Sequence, residues 1–183
     1  MDFEIVLKKL TSEFKKNNIR YALMGGFAIG LWGIIRATGD LDFLVRKDDS
    51  SKLDAILKSL GYKCYYKTEN VAQYVSDLKI FGAVDIIYAF REYSLNMLQR
   101  AEKIFMPDGE YELNILKAED IIGLKIQAAA NDETRRAREH ADIEELFKKF
   151  AGKMDWNLLK EYFSLFGLED KLAELERKYK NAE

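Results

Sequence analysis

Apolar positions recur along this chain with two different periods, and the change from one to the other divides it into a mixed front part and a helical back part. Phe3, Val6, Leu7, Leu10 and Phe14 follow helical spacing and predict an amphipathic first helix. Tyr21–Met24 is a short apolar run that reads as a buried strand. A helix is expected over residues 27–35, with Gly30 and Gly33 allowing close packing, and an alternating strand over residues 39–45. Leu53, Ile56, Leu57 and Leu60 keep core spacing on a helix that Asp48 or Asp49 can cap and Gly61 can end. Residues 62–66, 71–76 and 79–89 read as strands, 93–104 as a helix and 111–116 as a short strand; whether 67–79 forms a hairpin or a flap stays open. From Glu119 onward the pattern is helical. Its last part carries Trp156, Leu159, Tyr162, Phe163 and Phe166, a stripe read as core or as a docking face for a second subunit. The expected fold is α+β, a mixed sheet flanked by helices over residues 1–117, with a helical part at 118–183 packed on it.

The chemistry concentrates between Tyr21 and Val45. A strand, a Gly25-Gly26 turn and a helix lead into a second strand that carries Asp40 and Asp42. Two residues apart on a strand, both carboxylates project from one face, while Leu41, Phe43 and Val45 take the other. Like charges so close need a cation or hydrogen-bond donors beside them, and magnesium favours carboxylate and phosphate oxygens. Asp85 stands between Val84 and Ile86 in a later apolar run, where an unpaired acid is costly. It offers a third ligand. A D-x-D pair alone is more often a solvated strand end, and Gly-Gly alone is usually a turn. Their order with a third acid on another strand is the informative feature. It points to metal-dependent transfer from a nucleoside triphosphate.

Farther on, Ala118, Ile121, Ile122, Lys125, Ile126 and Ala129 share one helical face, which places Lys125 among apolar neighbours. Such a lysine either extends its head to water or meets a buried anion. In the next helix Arg135, Arg138 and Asp142 lie close together, and an ordinary intrahelical ion pair is the plain explanation.

Gly25-Gly26, Asp40-Leu41-Asp42 and Asp85 together resemble the nucleotidyltransferase superfamily with the polymerase-beta-like fold. Arg36-Ala37-Thr38-Gly39-Asp40-Leu41-Asp42 is similar to the R-x-T-x-D-h-D form found in stand-alone prokaryotic members, including the AbiEii toxin-like group. The resemblance spans about residues 20–147. It implies that Asp40, Asp42 and Asp85 hold two magnesium ions and are the catalytic acids, with Asp85 also helping to activate an acceptor hydroxyl. It further implies that Gly25, Gly26, Arg36, Thr38, Lys125 and Asp142 serve the nucleotide, with Asp142 orienting Lys125 or Arg138. Arg36, expected at the end of the helix over 27–35, is also favourable there on dipole grounds alone. Related sequences carry R-x-x-K-D-x-x-D-I where this chain has Arg135, Arg138-Glu139 and Asp142-Ile143, so Arg replaces Lys and Glu replaces the first Asp. The acceptor expected from the resemblance is a transfer RNA, a protein or a small molecule such as an aminoglycoside. The alternative is a catalytically silent nucleotide-binding or partner-binding component of a toxin–antitoxin-like system.

Composition narrows this slightly. At 183 residues there is chain enough for one real core plus a helical extension. A net charge of −2 gives no global field to recruit nucleic acid, although a local patch would suffice. Cys64 is the single cysteine, so no internal disulfide forms, and it reads as a structural thiol. His140, in a charged stretch, is expected at the surface. No apolar run is long enough for a membrane span and the N-terminus lacks a signal-peptide pattern, which together predict a cytoplasmic protein that does not engage a membrane, with a homodimer left open.

Overall fold

The structure is a computed structural model describing residues 1–106 and 111–180. It divides into two compact units, Met1–Leu31 with Ile35–Leu116, and Trp32–Ile34 with Lys117–Glu183. The expectation of helix through residues 181–183 lies outside the described residues.

The first unit runs α1 (Phe3–Lys16), β1 (Tyr21–Met24), α2 (Gly25–Leu31), β2 (Asp40–Arg46), α3 (Ser50–Ser59), β3 (Tyr62–Lys67), β4 (Val71–Ser76), β5 (Ala83–Ala89), α4 (Glu92–Gln99), β6 (Glu102–Phe105) and β7 (Glu112–Ile115). Among the described residues, one seven-stranded sheet has the order β3-β4-β5-β2-β1-β7-β6. It is mixed: β1 pairs antiparallel with β2 but parallel with β7, and β2 pairs parallel with β5. The fold is therefore α+β, as the alternation of periods implied.

One face of the sheet is the core. Tyr21 and Leu23 of β1 lie opposite Val45 and Phe43 of β2, so these side chains share a face. Phe14 of α1 closes over them, 5.1 Å from Tyr21 and 5.6 Å edge-on from Phe43 between ring centroids. Leu7, Leu10, Leu53 and Leu57 are fully buried as well. Each such side chain contributes about 1.5–3 kcal/mol by leaving water. The other face of β2 carries Asp40 and Asp42.

The second unit holds α5 (Ala118–Asn131), α6 (Arg136–Phe150), α7 (Trp156–Ser164) and α8 (Glu169–Tyr179). Phe147 is its centre, 5.7 Å from Trp156, 6.4 Å from Phe163 and stacked 5.9 Å from Tyr179. The aromatic stripe thus goes largely into the interior, with Leu159, Tyr162 and Phe163 all buried.

Several local expectations are corrected. The helix over 27–35 is instead Gly25–Leu31. Gly33 takes φ +82°, which no helix continues, so Arg36 sits on an irregular segment and the dipole argument for it falls away. Gly30 meets nothing that would demand its lack of a side chain. The helix over 93–104 stops at Gln99, because Glu102–Phe105 pairs with β7 and Lys103 meets Glu112 across the ladder at 2.9 Å. Strand pairing outweighs local propensity there. The strand over 79–89 begins only at Ala83. Residues 67–79 are an ordered hairpin rather than a flap, since β4 pairs with both β3 and β5. Asp49 precedes α3 without capping it through its side chain. Cys64 is exposed on β3 and so is not a buried structural thiol. His140 is exposed as expected. No helix among the described residues is long and apolar enough to cross a membrane.

At Gly123 α5 and α7 meet closely. A β-carbon there would lie 2.8 Å from Cγ of Tyr162, whose buried hydroxyl donates to Asp120 at 2.6 Å. The ring is therefore held at both ends and cannot swing away. Gly123→Ala should lower stability by about 1–3 kcal/mol through overpacking, despite alanine's better helix propensity. A urea unfolding midpoint at or above wild type would refute this.

Candidate active site

Strand register builds the site. β2 and β5 run parallel with Asp42 opposite Asp85, and Asp40 opposite Ala83. Residues opposite each other share a face, and Asp40 is two residues from Asp42. The three acids therefore share the face of the sheet turned away from Phe14. All three are half-buried. The apolar run around Asp85 is explained by this alternation: Val84 and Ile86 enter the core while Asp85 does not.

Next to β2, β1 ends with Met24 opposite Asp42, and Gly25 follows at φ +67°. A β-carbon on Gly25 would lie 1.9 Å from Oδ2 of Asp42. Only glycine brings the backbone this close to that carboxylate, and only glycine takes this φ without strain. Gly26 is held likewise, since its β-carbon would come 2.9 Å from Thr38 Oγ1. At seven residues, α2 makes only about two turns. The feature that sets this turn apart is the close approach of its backbone to Asp42.

Thr38 hydroxyl donates to Asp40 Oδ1 at 2.7 Å, fixing that carboxylate. Arg36 packs against the same turn, its Cγ 3.8 Å from where a Gly26 β-carbon would stand. Gly25, Gly26, Arg36, Thr38, Asp40, Asp42 and Asp85 are thus gathered in the first unit. Among the described residues, no three His, Cys, Asp or Glu side chains are drawn together tightly enough to form a ready metal cluster. The donor set still suits a hard cation: carboxylate oxygens on one face, beside a turn whose missing β-carbon leaves Asp42 approachable.

Lys125 and Asp142 belong to the second unit. Lys125 is buried, and its ammonium donates to Glu139 at 2.7 Å and to Asp142 at 2.5 Å. The buried anion that its position demanded is thus supplied by two carboxylates of α6. Arg135 completes the cluster through Glu139 Oε1 at 2.7 Å. Two acids and two cations leave no formal excess charge. Asp142 accepts from Lys125, one of the two partners that the resemblance implied for it, while Arg138 is exposed and Arg135 lies in the short turn before α6. Sequence reasoning passed over Glu139 as a mere departure from a pattern. Its signal was there: Arg135, Glu139 and Asp142 fall on one face of the chain at four and three residues' spacing. Asp120, wholly buried against Tyr162, was also missed.

A family model described as an uncharacterised nucleotidyltransferase matches residues 4–175. The chain belongs to this nucleotidyltransferase family. No curated protein sequence matches it. Among solved structures, this nucleotidyltransferase is similar to the antibiotic-resistance factor ANT(2'')-Ia in its solution structure, at 17% identity over 97% of this chain and 98% of that one, with a TM-score of 0.64. The lincomycin-bound lincosamide antibiotic adenylyltransferase LnuA shares 17% identity over 78% of this chain and 95% of its own, TM-score 0.53. A putative nucleotidyltransferase from Thermotoga maritima shares 14% over 76% and 92%, TM-score 0.57. At such identities the likeness is one of fold.

Burial pushes the Glu139 carboxyl up, but hydrogen bonds and charge from Lys125 and then Arg135 more than offset this and hold it below the usual carboxylate range. With the folded pKa below the unfolded one, its stabilisation is complete above about pH 4.3 and is lost as pH falls through the depressed folded value. Acid unfolding of the wild type should therefore be steeper than that of Glu139→Gln below about pH 4.3; equal slopes would refute it. Lys125→Met removes the cation shared by two buried acids and should cost about 3–5 kcal/mol, read from denaturant midpoints at pH 7. A loss under about 1 kcal/mol, the level of an exposed pair, would mean that the cluster carries no buried charge.

Proposed function

We propose that this nucleotidyltransferase is a metal-dependent enzyme that moves a nucleoside monophosphate from a nucleoside triphosphate to an acceptor hydroxyl and releases pyrophosphate. The observation that carries the reading is the shared face of Asp40, Asp42 and Asp85 beside the Gly25 turn. Asp40, Asp42 and Asp85 would hold divalent cations, most suitably two magnesium ions. Bound there, these would neutralise the triphosphate and stabilise attacking and leaving oxygens.

The chain's own groups account for the rest. Gly25 and Gly26 let the backbone approach the triphosphate, and Arg36 adds a guanidinium to the phosphates. Thr38 keeps Asp40 in one orientation. Asp85 accepts the acceptor hydroxyl's proton as its oxygen bonds to the α-phosphorus and the bond to the bridging oxygen breaks. Lys125 directs two of its three N–H donors to Glu139 and Asp142 within the second unit. Most of the rate enhancement in such transfers comes from positioning and charge neutralisation.

The reading includes action in the cytoplasm. The Arg36–Asp42 block supports the finer grouping with AbiEii-like toxins, in which the chain would act as one half of a toxin–antitoxin pair. A purely partner-binding role has less support, because the aromatic stripe that suggested it goes largely into the second unit's interior.

Calorimetric titration with each nucleoside triphosphate should show magnesium-dependent binding that chelation abolishes and that Asp40→Asn/Asp42→Asn loses. Thr38→Val should weaken metal-dependent turnover by roughly 10–100-fold, as loss of an outer carboxylate partner does, while Asp42→Asn should exceed that. Absence of binding by any triphosphate to folded wild type would overturn the transferase reading.

A further inference from the structure

The sheet carries one continuous row through the site. Met24 stands opposite Asp42, Asp42 opposite Asp85, Asp85 opposite Gln73, and Gln73 opposite Tyr66. Strands lie about 4.7–4.9 Å apart, so Gln73 is one spacing beyond Asp85 and Tyr66 two, about 10 Å away. Side chains along such a row share a face. Tyr66 and Gln73 therefore lie on the carboxylate face, on the side away from Gly25.

The β3–β4 ladder shifts register between Cys64 and Tyr66, so Tyr65 and Tyr66 stand against Gln73 where one residue would normally pair. Such bulges re-aim side chains, and they occur often beside active sites. Tyr65 is 78% exposed and Tyr66 55%, with Val75 of the neighbouring strand 38% exposed on the same face as Gln73. The opposite face of this hairpin is closed: Tyr74 is buried there and its hydroxyl donates to Asp54 of α3. The aromatic rings thus remain available on the carboxylate side only.

In-line displacement assigns this surface a use. If pyrophosphate leaves beside Gly25 and Gly26, the attacking oxygen must arrive from the opposite side of the α-phosphorus. In the row, that side is Asp85, then Gln73, then the tyrosines. We infer that Gln73, Tyr65 and Tyr66 form the acceptor subsite, and that the acceptor is a small hydroxylated ring compound. The inference rests on the transferase reading above. Gln73 carries both donor and acceptor atoms for a hydroxyl next to the one Asp85 deprotonates. Tyrosine offers a flat apolar face with a polar tip, which suits a ring bearing hydroxyls. A nucleic-acid strand fits less well. Tracking phosphates needs cations, and both lysines of β3 are taken, Lys63 by Asp77 and Lys67 by Asp54.

The test uses full-length protein, magnesium, a nucleoside triphosphate labelled at the α-phosphate, and a metabolite extract of the native host freed of macromolecules by ultrafiltration. Wild type should move label into a new small species. Tyr65→Ser/Tyr66→Ser, both at exposed positions, and Gln73→Ala should each lower that transfer at limiting extract by about tenfold, the factor that about 1.4 kcal/mol of lost contact gives. Triphosphate affinity by calorimetry should stay within about twofold, since these residues lie away from the Gly25 side. Transfer unchanged in both variants overturns the subsite. Label reaching only water, or only RNA or protein when whole lysate replaces the extract, overturns the acceptor class. Wild type that binds no triphosphate defeats the transferase reading itself, and this inference with it.

Discussion

The pairing of β2 with β5 is the constraint on which the rest depends. Parallel neighbours in register put Asp42 beside Asp85, and they also put Phe43 beside Ile86 on the other face. A slip of one residue would drive the acids into the Phe14 core and lift the apolar side chains into water. Every buried leucine and phenylalanine on the core face therefore helps keep the carboxylates where they are. The acids are tolerated on a central strand because the hydrophobic face beneath them admits only one register.

The two units handle charge in opposite ways. In the first, three acids share a half-buried face beside a turn with no β-carbon. In the second, Lys125, Arg135, Glu139 and Asp142 satisfy one another within the helices. Removing one member of a buried set leaves a lone charge, so the cluster specifies how α5 meets α6 even if its net stabilisation is small.

Much of this was legible in the sequence. Strand alternation alone placed Asp40 and Asp42 on one face, and helical spacing placed Lys125 among buried neighbours, because both patterns depend on local geometry. What the sequence withheld depended on pairing partners. The strand at Glu102–Phe105 exists through β7, and its own residues read equally well as a helix end. The row from Met24 to Tyr66 joins five strands whose order no local pattern encodes. Glu139 was hidden for a related reason: its partner Lys125 lies fourteen residues earlier, on another helix. Gly33 was misread because a glycine that helps two helices pack and one that ends a helix look alike until φ is known.

Trp32–Ile34 belongs with the second unit although it interrupts the chain of the first. Trp32 packs edge-on against Phe150 at 5.5 Å, a partner made 118 residues later. On a ribosome adding roughly 5–20 residues per second, that indole waits about 6–24 s for its contact. The first unit's sheet also closes only with β7, so neither unit is complete while the chain is half made. Completion of the second unit is tied to synthesis of the last third of the protein. A nascent chain stalled before α6 lacks the Phe150 ring against which Trp32 packs.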